Sequence, residues 1–282
     1  MASPEGSERL MAKKETATTP ETREVRLEIE IDAPPEAVWK AVSEADALAS
    51  WWSLDARVEP GVGGKVWLSW GPECEGEARI TVWEPGKRLR TETDFFGGPV
   101  PVAQDFIIET RGGKTVLRLV NSGFACGEDW EDEFDAVSRG WTFELRSLRH
   151  YVERHDGARR RVAWPRIATT VSYEEAWRRL MSERGLRLLQ PAQSLREGDR
   201  YEIEAVTGER FTGRVLVVRR PTDFSGTLDQ HHDGLLRVLM EGMAGQRWIS
   251  VWLSDWKGDE AALRAFTERW NAVLNDLFGE EK

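Results

Sequence analysis

The run His231-His232-Asp233 is the strongest candidate for metal chemistry, because it is the one place where two of the four histidines are adjacent. Imidazole and carboxylate groups bind zinc. Neighbouring side chains of a strand point to opposite faces, however, so both rings could reach one ion only from a turn. A third ligand at zinc-like spacing is not evident. We therefore interpret the run as a polar turn and predict no metal centre and no cofactor.

An acidic run raises the question of a cation site or of acid–base catalysis. It consists of Glu128, Asp129, Glu131, Asp132 and Glu133. The run lacks the alternating oxygen ligands and the central glycine of a calcium loop. Carboxylates in the first turn of a helix complement the positive end of its dipole. The run is thus interpreted as a solvated helix start.

Cys126 is the candidate nucleophile, with His150 and His155 as the histidines expected near it. A reactive thiolate requires positive surroundings, whereas Glu128 and Asp129 follow Cys126 and would raise its pKa. The glycine motifs that bind phosphate groups are absent. We predict no catalytic residue and favour a binding protein over an enzyme. A cyclase-like or hydrolase-like enzyme is kept as an alternative.

Aromatic side chains are the main candidates for binding an apolar ligand, since the chain has 14 tryptophans. Apolar pockets are lined mostly by such side chains with a few polar groups. Large rings also fill ordinary cores. The residues predicted to line a ligand cavity in the first half of the chain are Trp52, Trp67, Phe95, Phe106, Phe124, Trp130, Trp141 and Leu145.

Hydrophobic periodicity predicts the elements that position these residues. Strict alternation of apolar and charged residues predicts a half-buried strand over residues 25–31, and Pro34-Pro35 then starts a helix. That helix ends at Trp51-Trp52, whose rings are predicted to face different ways. Further strands separated by turns predict an antiparallel meander. An apolar stripe over residues 134–152 predicts a long closing helix.

The same order of elements recurs after Gly157, which indicates an internal repeat. The stripe Leu263, Phe266, Trp270, Leu274 and Leu277 repeats the spacing of Phe134, Val137, Trp141, Leu145 and Leu148. The predicted fold is α+β, with two tandem domains that are each a curved antiparallel sheet wrapped around a long C-terminal helix. We predict a disordered leader over residues 1–22 and domains over residues 23–157 and 158–282.

Composition limits the classes of partner. The formal net charge of −10 disfavours nucleic acid as a partner. The sequence contains no run of 18 apolar residues, so no membrane span is predicted. The basic cluster Arg159-Arg160-Arg161 is interpreted as a solvated linker. The leader lacks the apolar core of a signal peptide, and the two cysteines form no disulfide framework. These features favour a cytoplasmic location.

Five separated motifs resemble the SRPBCC (START-like) superfamily, in the branch of homologues of the activator of the heat-shock chaperone ATPase (AHSA-like). They are IDAPPEAVW at residues 31–39, LASWW at 48–52, PGVGG at 60–64, NSGF at 121–124, and Gly140-Trp141 followed by Leu145, Leu148 and Tyr151. The resemblance covers about residues 24–155. The second domain lacks the double tryptophan and the NSGF motif, and is interpreted as a degenerate repeat.

The resemblance implies a helix-grip fold with a cavity between the sheet and the C-terminal helix. Superfamily members hold apolar molecules there, so the expected function is binding of an apolar or amphipathic small molecule. The alternative partner is a protein, as in an interaction module or a chaperone-associated module. A fold shared by many functions cannot choose between these alternatives.

Overall fold

The computed structural model describes residues 21–94, 97–98, 100–127, 130–243 and 246–279. Within them the chain forms two antiparallel sheets of seven and eight strands, each with its own closing helix. This confirms the α+β fold of tandem helix-grip domains. The predicted leader lies outside the described residues except for its last two, and Thr22 opens the first strand.

The first domain begins with a strand and two short helices, continues as a meander and ends in a long helix. Its elements are β1 (Thr22–Ile31), α1 (Pro35–Ser43), α2 (Ala45–Trp51), β2 (Asp55–Val58), β3 (Lys65–Ser69), β4 (Glu75–Glu84), β5 (Arg88–Thr93), β6 (Val102–Arg111), β7 (Lys114–Ala125) and α3 (Glu131–Arg154). The strand order is β1-β7-β6-β5-β4-β3-β2. Alternation along the strands gives the sheet an apolar concave face, against which α3 buries Trp141, Leu145 and Leu148.

The second domain repeats this plan with extra short strands. Its elements are β8 (Arg161–Ala163), β9 (Arg166–Thr169), α4 (Tyr173–Leu180), β10 (Leu186–Leu188), β11 (Arg200–Ala205), β12 (Arg210–Arg219), β13 (Asp223–Thr227), β14 (Leu235–Met243), β15 (Gln246–Asp255) and α5 (Glu260–Phe278). The strand order is β10-β11-β12-β13-β14-β15-β8, and β9 pairs with β15. Ser172 and Asp259 cap α4 and α5 by accepting hydrogen bonds from first-turn backbone N–H groups. No helix in the described parts of either domain has the length and apolar character needed to span a bilayer.

Helix α3 is covered on both of its faces. One face lies on its own sheet, and the other contacts β12 and β14 of the second domain. Phe143 is buried on this second face, where the guanidinium carbon of Arg237 lies 4.1 Å from its ring centroid. The outer face of α5, in contrast, carries exposed residues such as Arg264 and Glu268. The two domains therefore share α3 as a structural element.

Buried ion pairs fix this junction. Arg139 Nη1 lies 3.0 Å from Asp223 Oδ2, and Arg237 Nη1 lies 2.9 Å from Glu144 Oε1. Burial raises the pKa of Glu144 to about 7, against the opposing effect of Arg237. Buried ion pairs add little net stability because desolvation offsets their attraction, but breaking one partner is costly. We interpret the network as fixing the orientation of α3 against the second sheet.

Two local predictions are wrong. Arg160 is not part of a solvated linker: it is 6% exposed and donates hydrogen bonds to the carbonyl oxygens of Trp51, Trp52 and Ser53 at 2.7–2.9 Å. The last carbonyls of α2 lack helical partners, and a guanidinium can satisfy several of them at once.

The rings of Trp51 and Trp52 do not face different ways. They stack with centroids 5.4 Å apart, because the helix ends between them.

Candidate ligand site on the concave face of the first domain

Three polar side chains cross the concave face of the first sheet in one row. The strand registers pair Thr91 with Gln104 and Gln104 with Asn121, on β5, β6 and β7. Because side chains alternate along a strand, Gln104 lies on the same face as the core residue Phe106. We call Thr91, Gln104 and Asn121 the polar row. The row meets α3 at Asn121, which hydrogen-bonds to Trp141.

The polar row separates two groups of apolar side chains. On one side lies the main core, which includes Phe106, Trp141 and Leu145. On the other lies a smaller cluster that includes Val102 and Phe124, while its third member, Val25, pairs with Asn121 at the β1 end of the row. Leu27 and Val137 pack against both clusters, so apolar contact continues around the row.

Hydrogen bonding differs along the row. Asn121 Nδ2 donates to the Ala103 carbonyl at 2.9 Å, and its Oδ1 accepts from Trp141 Nε1 at 3.0 Å. The side chains of Gln104 and Thr91 have no hydrogen-bond partner among the described residues. A polar group removed from water without a partner costs free energy. Gln104 is half-buried and Thr91 is buried, so both side chains are partly or largely shielded from water.

Tryptophans in tilted and edge-on contact flank the row. The Trp52 ring centroid lies 4.8 Å from that of Trp141 and 5.8 Å from that of Trp70. Phe106 packs edge-on against Trp141 at 5.8 Å. Trp141 is 5% exposed, whereas Trp52 is only half-buried. Trp52 therefore has ring surface left over for contact with a ligand.

The NSGF motif shapes the end of this site. Gly123 has φ +96°, and a Cβ atom there would lie 2.5 Å from the Pro101 carbonyl oxygen, so only glycine fits. The β1–β7 register shifts at this point, as in a β-bulge. Beyond the shift, Phe124 packs against Phe134 of α3 with centroids 5.6 Å apart. Asn121 and Phe124 thus both contact α3, on either side of the bulge.

The structure brings together four of the predicted ligand-binding residues, because Trp52, Phe106, Trp141 and Leu145 all pack in the main core. Their role as ligand contacts stays a prediction. Sequence reasoning missed the polar row. A signal for it exists on β6, where Gln104 interrupts an apolar period of two that continues through Phe106, but its significance depends on knowing the strand register.

The other predicted residues are more dispersed. Phe124 belongs to the smaller cluster, and Trp130 is the N-cap residue of α3, half-buried with its ring near Gly98. Trp67 does not join them. It lies on the face of β3 opposite the core residue Val66, with the Arg57 guanidinium carbon 4.4 Å from its ring centroid. Phe95 lies outside the described residues.

A second group of polar side chains lies at the domain junction. His150 Nε2 and His155 Nε2 lie 2.7 Å and 2.9 Å from the backbone carbonyl oxygen of Asp233. A carbonyl only accepts, so both nitrogens carry hydrogen. Burial lowers the pKa of both imidazoles. The run His231-His232-Asp233 lies in a turn with φ values of 53°, 56° and 61°.

The expectation that Cys126 has histidines nearby is wrong. Cys126 precedes the start of α3, whereas His150 and His155 lie at its C-terminal end. A helix of 24 residues spans about 36 Å. Of the acidic run, Glu128 and Asp129 lie outside the described residues, and Glu131 opens α3.

These features define the architecture before any closer comparison: two tandem α+β domains of the helix-grip kind. Residues 32–153 match the family described as "Activator of Hsp90 ATPase homolog 1-like protein". The match covers the first domain of the chain, and the second domain lies outside it. No curated protein sequence matches the chain.

Solved structures show similarity at low sequence identity. The Aha1 dimer from Colwellia psychrerythraea is 20% identical over 48% of this chain and 99% of that chain, with a TM-score of 0.43. The di-domain ARO/CYC BexL from the BE-7585A biosynthetic pathway is 15% identical over 92% of this chain and 100% of that chain, with a TM-score of 0.41. DynU16, a putative protein in the dynemicin biosynthetic locus, is 17% identical over 89% of this chain and 94% of that chain, with a TM-score of 0.42.

Proposed function

We propose that the first domain binds an amphipathic small molecule between its sheet and α3. The observation that carries this proposal is the polar row, whose members Gln104 and Thr91 have no partner among the described residues. The apolar part of the ligand packs on Trp52 and Trp141. Its polar part hydrogen-bonds to the Gln104 amide and the Thr91 hydroxyl.

The second domain supports this interpretation because its equivalent positions are filled. The β6–β7 and β14–β15 hairpins can be aligned by counting back from the residue pair that flanks the turn of each hairpin. By this count Gln104 corresponds to Leu236 and Asn121 corresponds to Leu253. Thr91 corresponds to Gly226 through the pairing of β13 with β14. A polar row in one domain is thus an apolar row in the other.

The chemistry of the row favours binding over catalysis. An amide and a hydroxyl do not titrate near neutral pH, so they supply hydrogen bonds rather than proton transfer. Specific pockets combine mostly apolar walls with a few polar groups that fix orientation. The site has this composition, with aromatic rings beside two available polar groups.

The domain limits and the compartment are part of the proposal. We propose a first domain over residues 23–157 and a second over residues 158–282. A reducing, cytoplasmic location fits free Cys74 and Cys126.

Native mass spectrometry of the full chain is the first test. We expect an adduct of at least partial occupancy that is released by organic solvent and identified by its mass. An adduct retained by a variant carrying Gln104→Leu and Thr91→Val would contradict the proposed site. Recovery of a stoichiometric protein instead would favour the interaction-module alternative.

Titration with the amphipathic fluorophore 1-anilinonaphthalene-8-sulfonate provides a quantitative test. Each lost hydrogen bond is worth about 0.5–1.5 kcal/mol, so the Gln104→Leu, Thr91→Val double variant should bind about tenfold more weakly. Gln246→Leu is the matched control, since Gln246 is exposed at the start of β15. Equal affinity of the double variant and the control would refute the site.

A further inference from the structure

Two of the four histidines, His150 and His155, meet at the domain junction beside the turn that contains the other two. His150 and His155 lie at the end of α3, and His231 and His232 lie in the turn that contains Asp233. One ring nitrogen of His150, one of His155 and one Asp233 carboxylate oxygen lie within 4.8 Å of one another. Two imidazoles and a carboxylate are the ligands of many zinc sites.

We propose that His150, His155 and Asp233 form a binding site for one divalent transition-metal ion, Zn²⁺ in the first instance. A solvent molecule would complete the coordination, as in zinc sites with three protein ligands. The ion would join the C-terminal end of α3 to the second domain. Sequence spacing could not reveal this site, because His150 and Asp233 are 83 residues apart.

The hydrogen bonds around the histidines limit which ring nitrogen can bind the ion. Histidines that bind metals commonly donate their other ring N–H to a backbone carbonyl, which fixes the tautomer. Here both rings donate Nε2–H to the carbonyl oxygen of Asp233, at 2.7 Å and 2.9 Å. Each ring therefore keeps a free lone pair on Nδ1. His155 Nδ1 is buried and has no hydrogen-bond partner among the described residues.

The ligand groups are held rigidly. The His155 ring is 5% exposed and lies parallel to the Trp256 ring, with centroids 4.3 Å apart and an interplanar angle of 4°. Asp233 has φ +61°, a conformation that non-glycine residues rarely adopt. Such backbone conformations persist where the surroundings impose them, and they are concentrated at functional sites.

An ion can reach the cluster from solvent. A cleft of about 410 Å³ between α3 and the second domain is bordered by His150 and Asp233. Arg154 Nε lies 2.8 Å from Asp233 Oδ2, which leaves Oδ1 for a metal. The Arg154 side chain is 62% exposed, so the ion pair is weak and its charge is well screened.

Isothermal titration of the chelator-treated full chain with Zn²⁺ tests the proposal. We expect one equivalent to bind with micromolar or tighter affinity. His150→Gln and His155→Gln should each weaken binding at least tenfold, because glutamine can still donate an N–H to the Asp233 carbonyl but removes the imidazole ligand. Asp233→Asn should weaken binding while keeping the backbone carbonyl.

His232→Gln is the matched control, since this imidazole is 53% exposed and faces Asp255 instead. It should change the affinity less than twofold. Co²⁺ supplies a second readout, because four-coordinate Co²⁺ absorbs strongly in the visible range, and the band should disappear in His155→Gln. Circular dichroism of each variant checks that it is folded. Absence of Zn²⁺ binding below millimolar concentration, or binding lost in His232→Gln but kept in His150→Gln and His155→Gln, would overturn the site.

Discussion

The two domains use one fold to different ends, and the difference is concentrated at a few register-matched positions. In the first domain Thr91, Gln104 and Asn121 interrupt the apolar concave face. In the second domain Gly226, Leu236 and Leu253 stand at those positions. The ring of Tyr201 occupies the space over Gly226, where a Cβ atom would lie 2.3 Å from Tyr201 Cε1.

The tryptophans of the closing helices show the same contrast. Trp141 Nε1 donates to Asn121, whereas Trp270 Nε1 is buried with no partner among the described residues. The second domain has one apolar cluster, while the first has a main cluster and a smaller one, which Leu27 and Val137 connect. If the first domain binds a ligand as proposed, a few substitutions along one row distinguish a binding site from a closed core.

The largest expected effect concerns the closed core. Trp270 is fully buried between α5 and its sheet, so Trp270→Ala should lower the free energy of unfolding by about 3–5 kcal/mol. Trp141→Ala should cost less, because solvent can reach the space beside half-buried Trp52. Chemical denaturation followed by circular dichroism measures both. Equal losses would mean that the first domain is packed as tightly as the second.

The next prediction concerns Glu144, which lies on the face of α3 that contacts the second domain. Glu144 faces Arg237, Arg160 and Glu241 at the junction, and burial raises its pKa from 4.5 to about 7. As the pH rises, the Glu144 carboxyl loses its proton in the unfolded chain before it does so in the folded protein. The free energy of unfolding therefore falls as the pH rises from about 4.5 to 7. Glu144→Gln mimics the neutral form and should avoid this loss, which is at most about 3 kcal/mol.

The measurement is the difference in unfolding free energy between Glu144→Gln and the parent chain at pH 5 and at pH 8. We expect the difference to grow in favour of the variant as the pH rises. Glu268→Gln, on the exposed face of α5, is the control and should show no such trend. A constant difference for Glu144→Gln would indicate that the carboxylate stays ionised at the junction.

Much of this architecture could be predicted from sequence, because local patterns encode it. The stripe that ends in Leu277 predicts α5, observed as Glu260–Phe278, and alternation predicts β1. What could not be predicted depends on contacts between distant segments. The burial of Arg160 depends on where α2 ends, and the meeting of His150 with Asp233 depends on how the domains pack. The polar row could be predicted only in part. Its polar residues can be read from the sequence, but their alignment across three strands depends on the strand register.

Gly226→Ala tests the filled position directly. The added Cβ would lie 2.3 Å from the Tyr201 ring and 2.9 Å from the Arg214 carbonyl oxygen, so we expect a loss of about 1–3 kcal/mol. Gly226→Ala should cost less in a Tyr201→Leu background than in the parent chain, because the ring that the Cβ atom meets is absent. The register-matched Thr91→Ala should cost under about 1 kcal/mol. Full tolerance of Gly226→Ala would show that Tyr201 does not close the second domain.

The smallest expected effect is the most informative about the first domain. Gln104→Leu copies Leu236, and it replaces an unpartnered amide by an apolar side chain. Without ligand, the free energy of unfolding should rise by less than about 1 kcal/mol, because no hydrogen bond within the fold is lost. Thermal unfolding of ligand-free protein measures this, with Gln246→Leu as the exposed control. A loss above about 1 kcal/mol would mean that the amide serves the fold itself. A polar group that the fold does not need, placed beside partly exposed aromatic rings, is what a ligand site requires.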